Sequence, residues 1–226
     1  MTTRRTFVAS LLGAAAVSTS ITKISAQGGH DSHHGGGTPE ATPAAICATP
    51  MASHSDMMEF DLAYIDMMIP HHESIIALAG VAVDELEDER LIAIAEAIIE
   101  GQEAENEELK TLREEWYGDP EPAPMSAEIM LVSMGMEGDC VDEHHMNQMS
   151  GEWLVQQFEE AEDKDLAFIE LSIPHHQMAI DTSEVALEQA VHKEIKEIAT
   201  AVIEAQEGEI AELEGIRDEL QATPAA

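Results

Sequence analysis

Residues 61–72, Asp61-Leu62-Ala63-Tyr64-Ile65-Asp66-Met67-Met68-Ile69-Pro70-His71-His72, return 104 positions later as Asp165-Leu166-Ala167-Phe168-Ile169-Glu170-Leu171-Ser172-Ile173-Pro174-His175-His176. The correspondence runs without a gap from 61–113 to 165–217, with 22 of 53 positions identical, so one unit has been duplicated. Each unit reads as two amphipathic helices. In the first unit Leu62, Ile65, Ile69, His72, Ile76, Ala79, Val83 and Leu86 recur at alternating spacings of three and four, and Leu91, Ala95, Ile98, Gln102, Glu105, Leu109, Leu112 and Trp116 do so in its second helix. Repeat two carries the same seams from Leu166 to Ala190 and from Ile195 to Leu220. Pro70 and Pro174 fall inside the first helix of each unit, beside the histidines, where a missing N–H is expected to kink it. No strand-like alternation is evident. The expectation is an all-α chain: a four-helix, ferritin-like bundle of two duplicated helical hairpins, residues 56–117 and 150–221, joined by a long crossover over 118–149. One short helix is expected in that crossover, near Ser126 to Met134.

Seams should be apolar, and these break the rule at matching positions. Each first helix has a His in mid-seam, His72 or His176, and each second helix a Gln and a Glu, Gln102 with Glu105 and Gln206 with Glu209. Facing positions in an antiparallel hairpin have a constant index sum. Leu86 opposite Leu91 places His72 opposite Glu105, and Ala190 opposite Ile195 places His176 opposite Glu209. Buried polar residues duplicated at one level of a bundle suggest a site; a plain His–Glu pair that satisfies itself is the alternative. Met67 and Met68 lie one helical turn before His71 and His72, and Met178 lies three residues after His175. The crossover repeats this chemistry, with Met134, Met136, Cys140, His144, His145, Met146 and Met149 within 16 residues. Met51, His54, Met57 and Met58 precede repeat one in the same way. Thioether and imidazole together favour Cu(I), and chemically similar Ag(I), over hard cations. Cys47 and Cys140 each precede a repeat, and in an oxidising compartment a disulfide between them is the simplest expectation, with thiolate ligation as the alternative.

Composition narrows the function classes. Of 226 residues, 46 are acidic and 10 basic, a formal charge of −36, so nucleic acid and anionic membrane surfaces are unsuitable partners and cations suitable ones. The N-terminus, Thr3-Arg4-Arg5-Thr6-Phe7-Val8 followed by an apolar run to Val17 and by Ile24-Ser25-Ala26, resembles a twin-arginine export signal over residues 1–26. An exported protein, periplasmic or extracellular and free of the membrane after cleavage, is expected. Residues 27–55 read as a flexible Gly-, His-, Pro- and Thr-rich arm with His30, His33 and His34. Cleavage after Ala26 leaves Gln27 first, so Gly28-Gly29-His30 would not begin the mature chain as an amine-terminated Cu(II) motif.

The doubled Ile-Pro-His-His element with its downstream Gln-Glu helix, Met67 to His72 with Gln102 and Glu103 and Ile173 to His176 with Gln206 and Glu207, resembles the bacterial family called domain of unknown function 305, in two tandem copies. The resemblance implies a ferritin-like bundle, export, and copper binding by Met and His in metal homeostasis or resistance. Carried over residue by residue, it implicates Met67, Met68, His71, His72, His175, His176 and Met178. Leu171-Ser172 departs from the family pattern, where Met is frequent, and Ser74 stands where repeat two has Met178, so the two sites are expected to differ in affinity. The reading that follows is a non-catalytic protein holding copper as Cu(I), or another transition metal, and exchanging it with a copper-transfer partner. Its ligands are the four histidines and nearby Met, with Glu105 and Glu209 orienting imidazoles. Two alternatives stand beside it. A di-metal carboxylate oxidase would want Glu-x-x-His on two helices, which neither repeat has, and a metal-free structural bundle would use its His–Glu pairs only to set register. The sequence is silent on oligomeric state.

Overall fold

A computed structural model describes residues 46–47, 59–136, 140–141 and 143–222. Four long helices dominate: α1 (Phe60–Ala82), α2 (Glu89–Tyr117), and, after two short helices α3 (Ala127–Ser133) and α4 (Glu143–Gln148) and the ten-residue α5 (Gly151–Glu160), α6 (Lys164–Gln189) and α7 (Lys193–Ala222). Helix α1 packs on α2 and α6 on α7, while α1 also packs on α6 and α2 touches α7. Both prolines lie inside continuous helices, Pro70 in α1 and Pro174 in α6.

Helix boundaries follow local chemistry. Asp88 caps α2 by accepting from Arg90 N, Asp163 caps α6 by accepting from Leu166 N, and Ser150 caps α5 by accepting from Trp153 N. Helix α2 stops at Gly118, whose φ of 84° is the left-handed conformation that glycine adopts without a Cβ penalty. Helix α1 has no side-chain cap of its own. Its opening aspartate works elsewhere: the Asp61 carboxylate accepts from Val191 N at 3.0 Å and His192 N at 2.8 Å, in the turn between α6 and α7. Asp165 does the reciprocal, accepting from Glu87 N at 2.9 Å and Asp88 N at 3.1 Å between α1 and α2. Each repeat thereby pins the turn of the other, and the four residues so pinned are themselves 104 apart in pairs. An approximate two-fold relation between the hairpins follows.

Two details differ from the sequence reading. Residues 151–160 form the separate helix α5 instead of extending the second hairpin, because Ala161 turns extended (ψ 141°). A two-residue antiparallel ladder, β1 (Ile46–Cys47) with β2 (Cys140–Val141), was not expected; two residues are too few to carry an alternation. Its register sets Cys47 opposite Cys140, while the side chains of the expected disulfide lie outside the described residues. So do the export signal, the arm apart from Ile46–Cys47, and Met51, His54, Met57 and Met58.

The core is divided. One half gathers Ile65 and Ile69 of α1, Leu109 of α2, Met178 and Ala186 of α6 and Ile195 and Val202 of α7. The other gathers Ile75 and Leu78, Leu91 and Ile98, Phe168 and Ile169, and Leu213 and Ile216 of the same four helices. On every helix the residues between the halves are the polar ones, so a polar layer crosses the bundle at mid-height.

Candidate metal centre

The layer contains His71, His72, His175 and His176, all fully buried. His71 of α1 and His175 of α6 stack across the approximate two-fold, ring centroids 3.7 Å apart and planes inclined by 29°. Within each pair the rings sit edge to face, at 6.2 Å for His71–His72 and 6.1 Å for His175–His176. Two sites expected from the duplication are therefore one contiguous layer. The index sums hold in space: His72 Nε2 lies 3.5 Å from Glu105 Oε2 and His176 Nε2 lies 2.8 Å from Glu209 Oε2, neither aligned as a hydrogen bond. Gln102, Glu105, Gln206 and Glu209 line a cavity of about 30 Å³ between α2 and α7, enough for roughly one water or ion.

Two residues outside the duplicated motif decide which imidazole nitrogens are occupied. Asn106 donates through Nδ2 to Ile69 O at 3.4 Å, which turns its Oδ1 toward His72 Nδ1 at 3.1 Å; His72 Nδ1 then carries the proton and its Nε2 a bare lone pair. His175 Nε2 lies 3.1 Å from His71 O, a pure acceptor, and 2.8 Å from Ser74 Oγ, so Nε2 carries the proton and Nδ1 is bare. Ser74 also reaches His71 O at 2.7 Å and Gln148 O at 3.0 Å. The duplicates of Asn106 and Ser74 are Ile210 and Met178, which offer neither contact. Accordingly neither ring nitrogen of His71 or His176 makes a well-aligned hydrogen bond, although His71 approaches the His175 backbone, and both carboxamide atoms of Gln102 and of Gln206 are without a partner. Native interiors satisfy nearly all such groups, and here the exceptions concentrate at one level of the bundle.

Burial, and secondarily the neighbouring imidazoles, holds His71 and His175 well below the ordinary histidine range. Burial brings His72 down to about 4 against a partly opposing bond from Asn106. These imidazoles are neutral at neutral pH, the form that ligates metal. Burial first, then the Glu209 charge, pushes Glu105 up to about 7.

Sulfur is distributed on one side only. Met67, Met68, Met130 and Met178 are buried in one half of the core, and Met125, Met134, Met146 and Met149 pack against it, while the other half contains no methionine among the described residues. Of the crossover candidates, Met134 and His145 line a cleft together with Met178, Met146 and Met149 are partly buried, and Met136 is exposed. The side chains of Cys140 and His144 lie outside the described residues. Among the described residues no three His, Cys, Asp or Glu side chains are already gathered as a cation cage, so a metal held here would draw on mixed N, S and amide donors. Ser74, Asn106 and Gln148 are the participants that the sequence reading missed as partners of the site. The signal available was that Ser74 and Asn106 differ from their duplicates beside positions that are conserved between the repeats.

Solved structures of similar shape carry metals. CopM in its Cu(II)-, Cu(I)- and Ag-bound forms is 29%, 28% and 26% identical, with TM-scores of 0.59, 0.56 and 0.54, over 72%, 72% and 70% of this chain and 99%, 99% and 96% of CopM. A DUF305 fragment from Deinococcus radiodurans shares the fold at 22% identity and a TM-score of 0.53, over 71% of this chain and 96% of the fragment. No curated protein sequence matches. The domain of unknown function DUF305 matches once, across both repeats, from 61 to 217, and the chain belongs to that family.

Proposed function

We propose that the protein is an exported metal-binding protein that sequesters Cu(I), and equally Ag(I), and releases it to a copper-transfer partner, with binding rather than turnover as its role. The observation that carries this reading is the layer of four fully buried histidines with unpartnered ring nitrogens, set against a core half lined with thioethers. Imidazole and thioether are borderline and soft donors, the combination that discriminates for Cu(I). CopM, crystallised with copper and with silver, supports the same choice of ion. Glu105 and Glu209 stand behind His72 and His176 as carboxylates that orient the rings and balance charge. The twin-arginine-like N-terminus supports export.

The test is anaerobic titration of the mature chain with Cu(I) against a chromophoric chelator. The protein is expected to withdraw copper, and the variant with His71, His72, His175 and His176 all changed to Asn to lose the tightest equivalent while keeping its helical circular dichroism. Failure of the unaltered protein to compete removes the proposal. Oxygen consumption on addition of Fe(II) or Cu(I) would replace it with an oxidase.

A further inference from the structure

The two hairpins are related by an approximate two-fold, but their outer faces are not treated alike. On α1, α5 covers Ser74, which is 3% exposed, and passes close to the exposed Ala77: a Cβ at Gly151 would come 3.1 Å from Ala77 Cβ and 3.3 Å from Ser74 Cα. Only glycine permits that approach without displacement. On α6 the duplicates of these two residues are Met178 and Asp181, and here the surface opens into a cleft of about 210 Å³ closed from the other side by Met134, His145 and Gln148. Gln148 is 2% exposed, and its Oε1 has no hydrogen-bond partner.

The same relation locates Met178 with respect to the layer. Ser74 Oγ sits 2.8 Å from His175 Nε2; the duplicate of Ser74 is Met178 and that of His175 is His71. The approximate two-fold therefore directs Met178, which borders the cleft, toward His71, one of the two imidazoles with both ring nitrogens orphaned. Ser74 occupies the equivalent place in repeat one and bonds the imidazole that a thioether would leave open.

We propose that Met134, His145 and Met178 form a soft-cation site in this cleft, taking Cu(I) or Ag(I) adjacent to His71, and that it occurs once per chain because Ser74 and α5 close its duplicate. Two thioethers and an imidazole are a donor set suited to a soft monovalent ion and poor for hard divalent ones. The Gln148 carbonyl oxygen supplies an acceptor for water on the ion, and Asp181 at the rim adds negative charge. The assignment rests on the soft-metal reading above but is narrower, since that reading requires only that the histidine layer bind.

Ag(I) is the probe, because it undergoes no redox change, and the mature chain labelled with methionine-methyl carbon-13 is the sample. The first equivalent is expected to shift the methyl signals of Met134 and Met178 before that of the exposed Met136. Met178→Leu, a nearly volume-conserving change, is expected to weaken the tightest Ag(I) equivalent at least tenfold in chelator competition and to abolish the shift at Met134. Zn(II) at the same concentration is expected to move neither methyl. Silver bound tightly with the Met134 and Met178 methyls unmoved, or with undiminished affinity in Met178→Leu, overturns the cleft site and leaves the histidine layer as the binder. No withdrawal of silver by the unaltered chain overturns both readings. Because the methyl shifts are read on the unaltered protein, the outcome does not depend on any variant folding.

Discussion

Gln206→Leu should make the metal-free protein more stable. Gln206 is 2% exposed, and both atoms of its carboxamide lack a hydrogen-bond partner. A buried polar group left unpaired costs roughly 1–3 kcal/mol, and leucine is as good a helix former as glutamine. A gain of roughly 1–3 kcal/mol is therefore expected, raising the melting temperature by about 2–4 °C per kcal/mol in a chain of this size. The cavity beside it has room for about one water, which could not satisfy two carboxamides and two carboxylates together. Urea unfolding in the presence of a strong chelator is the assay, with the midpoint read at unchanged m. Metal should then separate the two proteins in the opposite sense. A ligand at a hundredfold excess over its Kd stabilises by about 2.7 kcal/mol, and the variant, its layer altered, should recover less of that. A lower urea midpoint for metal-free Gln206→Leu would refute the reasoning, since it would mean that the carboxamide is already well partnered and the layer is ordinary structure.

Two further perturbations exploit the duplication. Arg113→Met should destabilise by roughly 3–5 kcal/mol, because the guanidinium lies 2.6 Å from the fully buried Asp66 carboxylate and its loss leaves that charge uncompensated; its duplicate Arg217, 4.0 Å from an exposed Glu170, should tolerate Met within about 1 kcal/mol. Equal losses in urea unfolding would disprove the distinction. Acid should act through the layer. His72 has its folded value lowered to about 4 by burial, so its contribution is intact above the unfolded value of about 6.5 and is lost as pH falls from there toward 4, at about 1.4 kcal/mol per pH unit. Glu105, raised to about 7, opposes this by favouring the folded state on acidification. The difference between the unaltered protein and His72→Asn isolates the histidine, and it should shrink by about 2 kcal/mol between pH 6.5 and pH 5; parallel pH profiles would exclude the buried neutral imidazole.

The helical pairing and the level of the site could be read from the chain because both depend on residues in periodic register. Seam spacing places Leu86 against Leu91, and that single pairing carries His72 to Glu105 and His176 to Glu209. What joins the two hairpins was not legible. The stack of His71 on His175, the bond from Ser74 to His175 and the clasp of Asp61 on the α6–α7 turn connect residues 101 to 131 positions apart, and no local pattern encodes which turn of one hairpin meets which turn of the other. The hairpin expected over 150–221 includes α5, although its periodic seam begins only at Leu166. The non-helical segment 161–163, extended at Ala161 and again at the cap Asp163, separates α5 from α6.

A stack of two imidazoles at 3.7 Å constrains what the layer can hold. Two protonated rings at that separation, away from water, would repel each other and carry the full penalty of burial, so the pair is stable only when neutral. A neutral pair presents lone pairs without positive charge, and a cation reaching it neither displaces protons nor meets repulsion. The exterior then contributes attraction alone: a chain of formal charge −36 raises the local concentration of every cation, without preference among them. Preference has to arise inside, where the two halves of the core differ. Thioethers border the layer on one side, while the carboxylates and carboxamides of α2 and α7 line a separate small cavity. On the proposed function, a soft ion would favour the sulfur-lined half and a harder one the oxygen-lined cavity. On that reading, the divergence of the repeats at Ser74 and Met178 is where a duplicated frame would acquire selectivity.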